Sequence, residues 1–509
     1  MRRSAGRWVE PPPKRQSLFG PDRFLFLNQE GIIATGQDWT SSSRSMLWRY
    51  NLHYFDDLSA GSAEHRAAWH DALIDRWIAE NPPGTGVGWA PYPTSLRIVN
   101  WCKRHLAGRP LSPRASHSLA VQARHLSRRL ETHLLGNHLL ANAKALVFVG
   151  LLFEGGEAEG WLRLGLELLE RELPEQILPD GGHFERSPMY QSVVLEDIMD
   201  LMNLHRAYGR PEPATWRAIT GSMRRWLATM THPDGEIALF NDAAFGIAQR
   251  SQALEAYADR LGFSKIDVPG EELIDLPETG YARLSDRRIV CFVDAAPLGP
   301  DYLPGHGHAD TLSFECSVDG RRVIVDSGTS SYDLGSERQA QRGTAAHNTV
   351  RLDGEDSSEV WSSFRVARRA QIVERVVSAK AGRQEVSAAH DGYRHLRGNP
   401  VHRRTWRLED GALTIRDQIG GAGHHRVELA FHLHPAIKSE KVDADTFRLD
   451  GGWALLSVDR RLEWSIEPST YHPEFGVLQV NSTLIGRIET QLPFETTSRL
   501  VVTGLGARC

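Results

Sequence analysis

The sequence predicts a multidomain protein with one α domain and one β domain, a helical domain followed by an antiparallel β-sandwich. The first observation is that the spacing of apolar residues changes from a helical period to a strand period near residue 276. The second is the length of 509 residues, which is too long for a single compact core. We therefore expect an extension with a small hairpin at 1–60, helices at 61–275 and a sandwich at 276–509.

Helical spacing is clear before the change of period. Trp69, Leu73 and Trp77 fall four residues apart, as on one face of a helix. The stretch HLLGNHLLANAKALVFVGLLFEG is apolar nearly all round, which is typical of a helix buried among others. Pro and Gly groups such as ENPPGTG, LPDGG and HPDG separate the helices. Many helices with short connections favour helical hairpins arranged as a toroid or bundle.

After the change, short β-rich runs such as IVCFVDA, LSFECSV and VELAFHLHP alternate with turn signals. In VELAFHLHP, the alternation predicts that one face is apolar and that His432 and His434 lie on the other. The apolar positions of that run are Val427, Leu429, Phe431 and Leu433. The pattern is typical of an antiparallel sandwich.

Composition limits the classes of function. The net charge is −5, which argues against a nucleic-acid binder that relies on bulk positive charge. The four cysteines form no CxxC pair, and we expect buried thiols at Cys291 and Cys316. No apolar run is long enough to span a membrane, and no secretory signal is visible, so we expect a cytoplasmic protein, or a periplasmic or secreted one if a leader was removed.

The segment GHGHAD carries His306 and His308, and it precedes a predicted strand. Asp326 follows in VIVDSGT and His347 in AAHNTV. Two histidines and an aspartate on neighbouring strands would be three ligands of the types that suit Zn²⁺. The alternative is that these are ordinary surface or core residues.

Two further clusters lie in the helical half. In GNHLLANAKAL, Asn137 and His138 stand at a glycine-led helix start, with the alternative that the asparagine is only a helix cap. In GGHFERSPMYQSVV, Tyr190 stands where a loop enters a helix, and such loops often carry function. The alternative is a packing tyrosine.

Together these motifs resemble the heparinase II/III-like polysaccharide lyases, which include heparin/heparan sulfate lyases and oligoalginate lyases. The resemblance covers residues 45–360 well and the rest more loosely. The motifs that carry it, in chain order, are WRYNLHYFDDL, YPTSLRIVNW, GNHLLANAKAL, GGHFERSPMYQ, GHGHAD, VDSGTSSY and RGTAAHNTV. It implies an N-terminal incomplete (α/α) toroid followed by a C-terminal antiparallel β-sandwich.

The resemblance also implies two sets of site residues. The ligands of one structural Zn²⁺ would be His308, Asp326 and His347. The catalytic residues would be Asn137, His138, Tyr190, His306 and, with a less uniform role, Tyr332.

The implied reaction is β-elimination on a uronic-acid-containing polysaccharide. It removes the proton at C5, beside a carboxylate, and breaks the C4–O bond, which leaves an unsaturated uronyl end. Asn137 would stabilise the charge that develops on the carboxylate. Tyr190, His138 and His306 are the candidates for base and acid. Zinc would hold the GHGHAD segment rather than activate water.

Several arginines are candidates for binding substrate carboxylates or sulfates. Guanidinium groups bind such anions bidentately, which suggests this role for Arg97, Arg186 and Arg342. Equally, each could be a structural residue. Tyr54 could stack on a sugar ring or pack within the helices.

Other functions stay open at this stage. A uronyl C5-epimerase would abstract the same proton, and a glycan-binding protein of exopolysaccharide assembly would need no reaction. A glycoside hydrolase would need an opposed pair of carboxylates; Glu185 is available, but no clear partner for it stands out. The polymer, endo or exo action, and assembly as a homodimer are equally open.

Overall fold

The computed structural model describes residues 1–267, 270–380 and 382–503, so that Cys509 lies outside the described residues. The chain divides into two compact units. The helical unit comprises Met1–Ile177, Ser192–Met223 and Gln252–Lys265. The β-rich unit comprises Leu178–Gln191, Arg224–Ser251 and the described residues from Ile266 onward.

Ten helices lie among the described residues, and those of the predicted helical half appear where the apolar spacing placed them. They are α1 Met46–Tyr54, α2 Ala67–Glu80, α3 Pro91–Leu106, α4 Pro113–Leu126, α5 Gly136–Leu152, α6 Gly156–Gln176, α7 Pro188–Ala207, α8 Ala214–Thr229, α9 Ser251–Arg260 and α10 Ser336–Arg342. The start of α4 shows the local cause: Pro113 suits the first helical position, and the Ser112 side chain accepts from the backbone N–H of Ala115. None of the helices in the described ranges has the length and apolar character needed to cross a membrane.

The first 60 residues contain the antiparallel pair β1–β2. The strands of the described ranges are β1 Arg23–Phe26, β2 Gln29–Ile32, β3 Ile274–Leu276, β4 Tyr281–Ser285, β5 Ile289–Asp294, β6 Phe314–Val318, β7 Arg321–Ile324, β8 Val350–Leu352, β9 Val360–Trp361, β10 Arg365–Val366, β11 Ile372–Lys380, β12 Arg383–His390, β13 Val401–Glu409, β14 Ala412–Gly420, β15 His424–His432, β16 Ser439–Lys441, β17 Thr446–Leu449, β18 Ala454–Ser457, β19 Glu463–Tyr471, β20 Gln479–Gln491 and β21 Phe494–Val502.

Among the described residues of the β-rich unit, three larger antiparallel sheets lie beside a two-stranded ribbon of β9 and β10. The strand orders of the three sheets are β3-β4-β5-β6-β7, β19-β20-β15-β8 and β11-β12-β13-β14-β21-β18-β17-β16. One apolar core joins them, and the four apolar residues of VELAFHLHP all belong to it. His432 does lie on the opposite face, but it is buried there, with Thr483 Oγ1 and the Ala345 carbonyl oxygen near its ring nitrogens.

Three segments of the predicted helical half, 178–191, 224–251 and the described residues of 266–275, belong to the β-rich unit. The segment 224–251 is held there by a buried polar cluster. His232 Nε2 lies 3.2 Å from Glu315 Oε2, which also accepts a bond of 3.2 Å from Arg322 Nη1. The other Glu315 oxygen accepts from the backbone N–H of Leu239. A fully paired buried cluster of this kind is costly to disrupt, so it fixes the loop that follows, at Asn241 and Asp242.

Candidate active site

The buried carboxylate of Asp242 joins the two histidines of the GHGHAD segment. His306 Nδ1 lies 2.8 Å from Asp242 Oδ2, and His308 Nε2 lies 2.9 Å from Oδ1. An ionised carboxylate only accepts hydrogen bonds, so each imidazole carries a proton on the nitrogen that faces Asp242. In the neutral form of each ring, the nitrogen without a proton is then Nε2 of His306 and Nδ1 of His308.

Arg338 keeps that carboxylate ionised. Its Nη1 and Nη2 donate to the two Asp242 oxygens, the second at 2.7 Å, and both side chains are fully buried. Burial alone would raise the pKa of Asp242, but Arg338 and the hydrogen bonds from His306 and His308 hold it well below the ordinary value. Asp242 is therefore a fixed acceptor, and it sets the tautomers of both histidines.

Tyr190 and Tyr332 complete a cluster around His306. The Tyr190 and His306 ring centroids are 4.3 Å apart, and the two tyrosine hydroxyls are 3.2 Å apart. His306 Nε2 lies 3.7 Å from Glu185 Oε2. Burial, and then the charge of Asp242, raises the pKa of Tyr332 well above its ordinary value, which keeps this phenol neutral.

Ser187 links Tyr190 to the same loop as Asp242. Its hydroxyl donates to the Asp242 carbonyl oxygen at 2.7 Å and accepts from the backbone N–H of Tyr190 at 3.3 Å. The backbone N–H of Asp242 in turn donates to the His306 carbonyl at 3.0 Å. Three of the predicted catalytic residues, Tyr190, His306 and Tyr332, are thus brought together in the β-rich unit.

The other two, Asn137 and His138, lie in the helical unit, at the start of α5. The helix begins at Gly136, whose φ of +54° suits glycine, and the residue that caps it is Leu135, without a side-chain cap. The alternative that Asn137 is the helix cap is therefore wrong. Its side chain is 5% exposed, in the first turn.

His138 is held by the buried carboxylate of Glu131. Its Nδ1 lies 3.1 Å from Glu131 Oε1, while the other oxygen accepts from Asn142 Nδ2 at 3.0 Å. The His138 ring lies 4.3 Å from that of Tyr92, measured between centroids. The His138 side chain is 30% exposed, so this imidazole reaches solvent.

The three predicted zinc ligands are all fully buried. His347 Nδ1 lies 2.7 Å from Asp326 Oδ2, and the His308 and His347 ring centroids are 5.4 Å apart. His308 Nδ1 and His347 Nε2 are buried nitrogens without a hydrogen-bond partner. Burial lowers the pKa of His308 to about 3, so the ring is neutral. Within the described ranges, however, no three or more His, Cys, Asp or Glu side chains are arranged closely enough to hold a metal ion.

Two of the three predicted substrate arginines are buried structural residues. Arg97 is fully buried and donates to Gln122 Oε1 at 2.9 Å and to the Gly88 carbonyl at 2.9 Å. Arg342 is also fully buried and donates to the Gly307 carbonyl at 2.9 Å. Arg186 donates to the Pro297 carbonyl at 2.7 Å but keeps partial exposure. Direct substrate binding is therefore wrong for Arg97 and Arg342, because their donors point into the protein.

Tyr54 packs within the helical unit, which was the alternative to stacking on a sugar ring. It is 6% exposed, and its ring makes an edge contact with Tyr92 at 6.0 Å. Sequence reasoning also missed four residues that position the histidines, which are Asp242, Arg338, Glu131 and Tyr92. The order of motifs along the chain could have drawn attention to two of them, because Tyr92 lies in the motif YPTSLRIVNW and Glu131 lies just before the motif GNHLLANAKAL. Asp242 and Arg338 lie outside the motifs.

Two family models match the chain. The heparinase II/III N-terminus matches residues 73–263, and the heparinase II/III-like C-terminal domain matches residues 268–505. Among curated proteins, the chain is 26% identical over 438 residues to FtsZ-localized protein C of Caulobacter vibrioides, covering 79% of the chain and 72% of that protein. It is 22% identical over 456 residues to the heparin-sulfate lyase of Bacteroides stercoris, covering 78% of the chain and 65% of the length of that enzyme.

Solved structures share the fold. The crystal structure of heparinase III has a TM-score of 0.74 at 17% identity, covering 93% of this chain and 79% of that one. The heparan sulfate lyase HepC mutant from Pedobacter heparinus has a TM-score of 0.64 at 17% identity, covering 99% and 87%. These likenesses confirm a helical toroid followed by an antiparallel sandwich. With both family models matched in order along the chain, the protein belongs to the heparinase II/III-like family of polysaccharide lyases.

Proposed function

We propose that the protein cleaves a uronic-acid-containing polysaccharide by β-elimination. The observation that carries the proposal is the cluster of His306, Tyr190 and Tyr332, with the tautomer of His306 set by a buried ionised carboxylate. An imidazole nitrogen without a proton, beside two phenols, can accept a proton from a substrate and return it. The family and the polysaccharide lyases among its structural neighbours support the reaction class.

The elimination conserves atoms and electrons without a redox partner. The C5 proton passes to a base, the electron pair left on C5 forms the C4–C5 double bond, and the C4–O bond breaks. The leaving oxygen takes a proton, which yields a new hydroxyl end on one fragment. His306 Nε2 is the base in this proposal, because its other nitrogen is already committed to Asp242. Tyr190, as a phenol, supplies the proton to the leaving oxygen.

The charge on the substrate carboxylate must be stabilised while C5 loses its proton. Asn137 and His138 have donors of the right type, since an amide N–H₂ and an imidazole N–H both bind carboxylate oxygens. Glu131 fixes His138 in turn, as it lies 3.1 Å from Nδ1. We assign these two residues to the carboxylate by the resemblance of the GNHLLANAKAL motif.

We also propose one structural zinc ion, with His308 and His347 as its nitrogen ligands and with Asp326 as the residue that orients His347. The two unpaired buried imidazole nitrogens fit a metal that prefers nitrogen donors. Asp326 Oδ2 lies 2.7 Å from His347 Nδ1, the ring nitrogen other than the unpaired Nε2. A carboxylate in this position orients a metal-binding histidine. Bound there, the ion would supply rigidity to the segment that carries His306.

The test is a panel of uronic polysaccharides assayed for the ultraviolet absorbance of unsaturated ends. Alginate, glucuronan and heparan sulfate represent the unsulfated and sulfated classes. We expect absorbance to rise with at least one polymer, and the Tyr190→Phe variant to lose about 10²-fold or more in kcat, because it lacks the proton donor. The matched control is Tyr471→Phe, which removes a buried hydroxyl elsewhere in the β-rich unit.

Two results would count against the proposal. A polymer whose C5 hydrogen exchanges with deuterated water, without any absorbance, would identify an epimerase instead. Full activity in Tyr190→Phe would remove this residue from the reaction.

A further inference from the structure

A short two-stranded ribbon, Val360–Val366, exposes two large aromatic side chains. Within the described part of the chain, its strands β9 and β10 pair with each other alone, with Trp361 opposite Arg365. Trp361 is 53% exposed, and Phe364 in the turn is 41% exposed. Large aromatic side chains exposed on one short segment are candidates for a binding surface.

The ribbon is held rigidly by α10. Arg338 Nε donates to the Ser363 carbonyl at 3.1 Å, and Gln339 Nε2 donates to that of Val360 at 2.6 Å. Arg342 Nη1 reaches two further ribbon carbonyls, of Ser362 at 3.2 Å and Arg365 at 3.3 Å. Since Arg338 and Arg342 are fully buried, the aromatic side chains stand on a fixed backbone. A preorganised surface loses little entropy when a ligand binds.

The ribbon adjoins the candidate active site directly. The Phe364 ring centroid lies 5.2 Å from that of Tyr332 and 5.9 Å from that of His306. Arg338, which clamps Asp242, also packs on this ring, with Cζ 5.5 Å from its centroid. The exposed aromatic surface therefore continues from the residues assigned to proton transfer.

The ribbon also carries a free positive charge. Arg365 is exposed, and its guanidinium makes no hydrogen bond or ion pair with any described residue. As the cross-strand partner of Trp361, it projects from the same face of the ribbon. Aromatic side chains offer an apolar face to sugar rings, while guanidinium binds carboxylate or sulfate.

We propose that the ribbon is a glycan subsite that binds one anionic sugar ring next to the point of cleavage. Trp361 contacts the apolar face of the ring, Arg365 on the same face of the ribbon binds its carboxylate or a sulfate, and Phe364 forms the side of the subsite next to His306 and Tyr332. This subsite rests on the proposed lyase function and assigns the substrate recognition that Arg97 and Arg342 do not provide.

The experiment compares Trp361→Ala and Arg365→Gln with matched controls. The controls are Phe19→Ala, an aromatic side chain that is 40% exposed in the helical unit, and Arg460→Gln, an exposed arginine in the β-rich unit. KM and kcat are measured by ultraviolet absorbance on tetrasaccharides of alginate, glucuronan and heparan sulfate. Calorimetric binding of the same tetrasaccharides is measured in a Tyr190→Phe background, where turnover is slow.

We expect each ribbon variant to raise KM and Kd roughly tenfold, with kcat within about twofold, and the controls to match the wild type. A larger effect of Arg365→Gln on heparan sulfate than on alginate identifies sulfate as its partner, and an equal effect identifies carboxylate. Ribbon variants whose KM and Kd stay within about twofold of the wild type would overturn the subsite. Binding without turnover would refute the lyase function alone, whereas wild-type protein that neither binds nor cleaves any probe would overturn both.

Discussion

Each unit of the protein holds an imidazole between a buried carboxylate and a tyrosine ring, and the two carboxylates are supported differently. In the β-rich unit, Asp242 lies 2.8 Å from His306 Nδ1, and Tyr190 lies 4.3 Å away between ring centroids. In the helical unit, Glu131 lies 3.1 Å from His138 Nδ1, and the Tyr92 ring is again at 4.3 Å. The geometry around the imidazoles is nearly the same.

The difference is the charge beside each carboxylate. Asp242 is clamped by the buried guanidinium of Arg338 and also holds His308. Glu131 is supported by the neutral amide of Asn142. A paired buried charge is costly to break, whereas an amide-supported carboxylate can be replaced at a smaller cost. We infer that Asp242 fixes a proton position for chemistry, whereas Glu131 mainly orients a donor.

The largest expected effect is that of Asp242→Asn. The amide must donate toward one of the two histidines, which reverses the tautomer of that ring, and it leaves Arg338 buried without its counter-ion. We expect kcat to fall about 10³-fold or more, by analogy with tautomer reversal in a serine protease triad. The free energy of unfolding should fall by about 3–5 kcal/mol. Steady-state kinetics and chemical denaturation measure the two effects.

Asp417→Asn is the matched control for that prediction. Asp417 is a buried carboxylate in the same unit that also pairs with an arginine and a histidine, through Arg404 Nε at 2.7 Å and His402 Nε2 at 2.7 Å. We expect Asp417→Asn to lower the free energy of unfolding by a similar amount, while kcat of the folded enzyme stays within roughly a few-fold of the wild type. Equal losses of kcat in both variants would mean that Asp242 acts only through stability.

The second prediction concerns the metal. His308→Ala removes one unpaired imidazole donor and one of the bonds to Asp242. We expect bound zinc, measured by mass spectrometry on purified protein, to fall from about one ion per chain to about a tenth or less. The control is His402→Ala, which removes another buried histidine that pairs with a buried aspartate. We expect this variant to bind as much zinc as the wild type. Full zinc in His308→Ala, or none in the wild type, would contradict the ligand assignment.

The sequence predicted the fold and the site to different depths. The change of period gave both units, since the apolar pattern of α5 or β15 is a local property that the chain displays directly. Motif order identified Tyr190, His306 and Tyr332, which the fold brings together. It did not identify Asp242 or Arg338, because the contact joins residues 96 positions apart and neither residue type is unusual in its own segment.

The predictions of substrate binding by Arg97 and Arg342 were wrong for a related reason. Sequence shows that Arg97 carries a charge, but not that its guanidinium is satisfied by Gln122 and backbone carbonyls over the face of Trp77, 3.8 Å from the ring centroid. Burial of a charge depends on tertiary partners that local spacing does not reveal. The same limit explains why Arg365, in an unremarked hairpin, emerged only from the structure.

The smallest expected effect is that of Glu131→Gln, and it tests the comparison most sharply. A glutamine oxygen can still accept from His138 Nδ1, and no buried guanidinium loses a counter-ion, but the glutamine amide group then faces Asn142 Nδ2, which loses this acceptor. We therefore expect the free energy of unfolding to fall by about 1–3 kcal/mol, less than in Asp242→Asn, and kcat to fall about tenfold or less, because His138 keeps its orientation. Kinetics and denaturation of Glu131→Gln alongside Asp242→Asn decide the matter. If the two variants lose kcat equally, the neutral support of Glu131 does not matter, and both carboxylates must act as charges in the reaction.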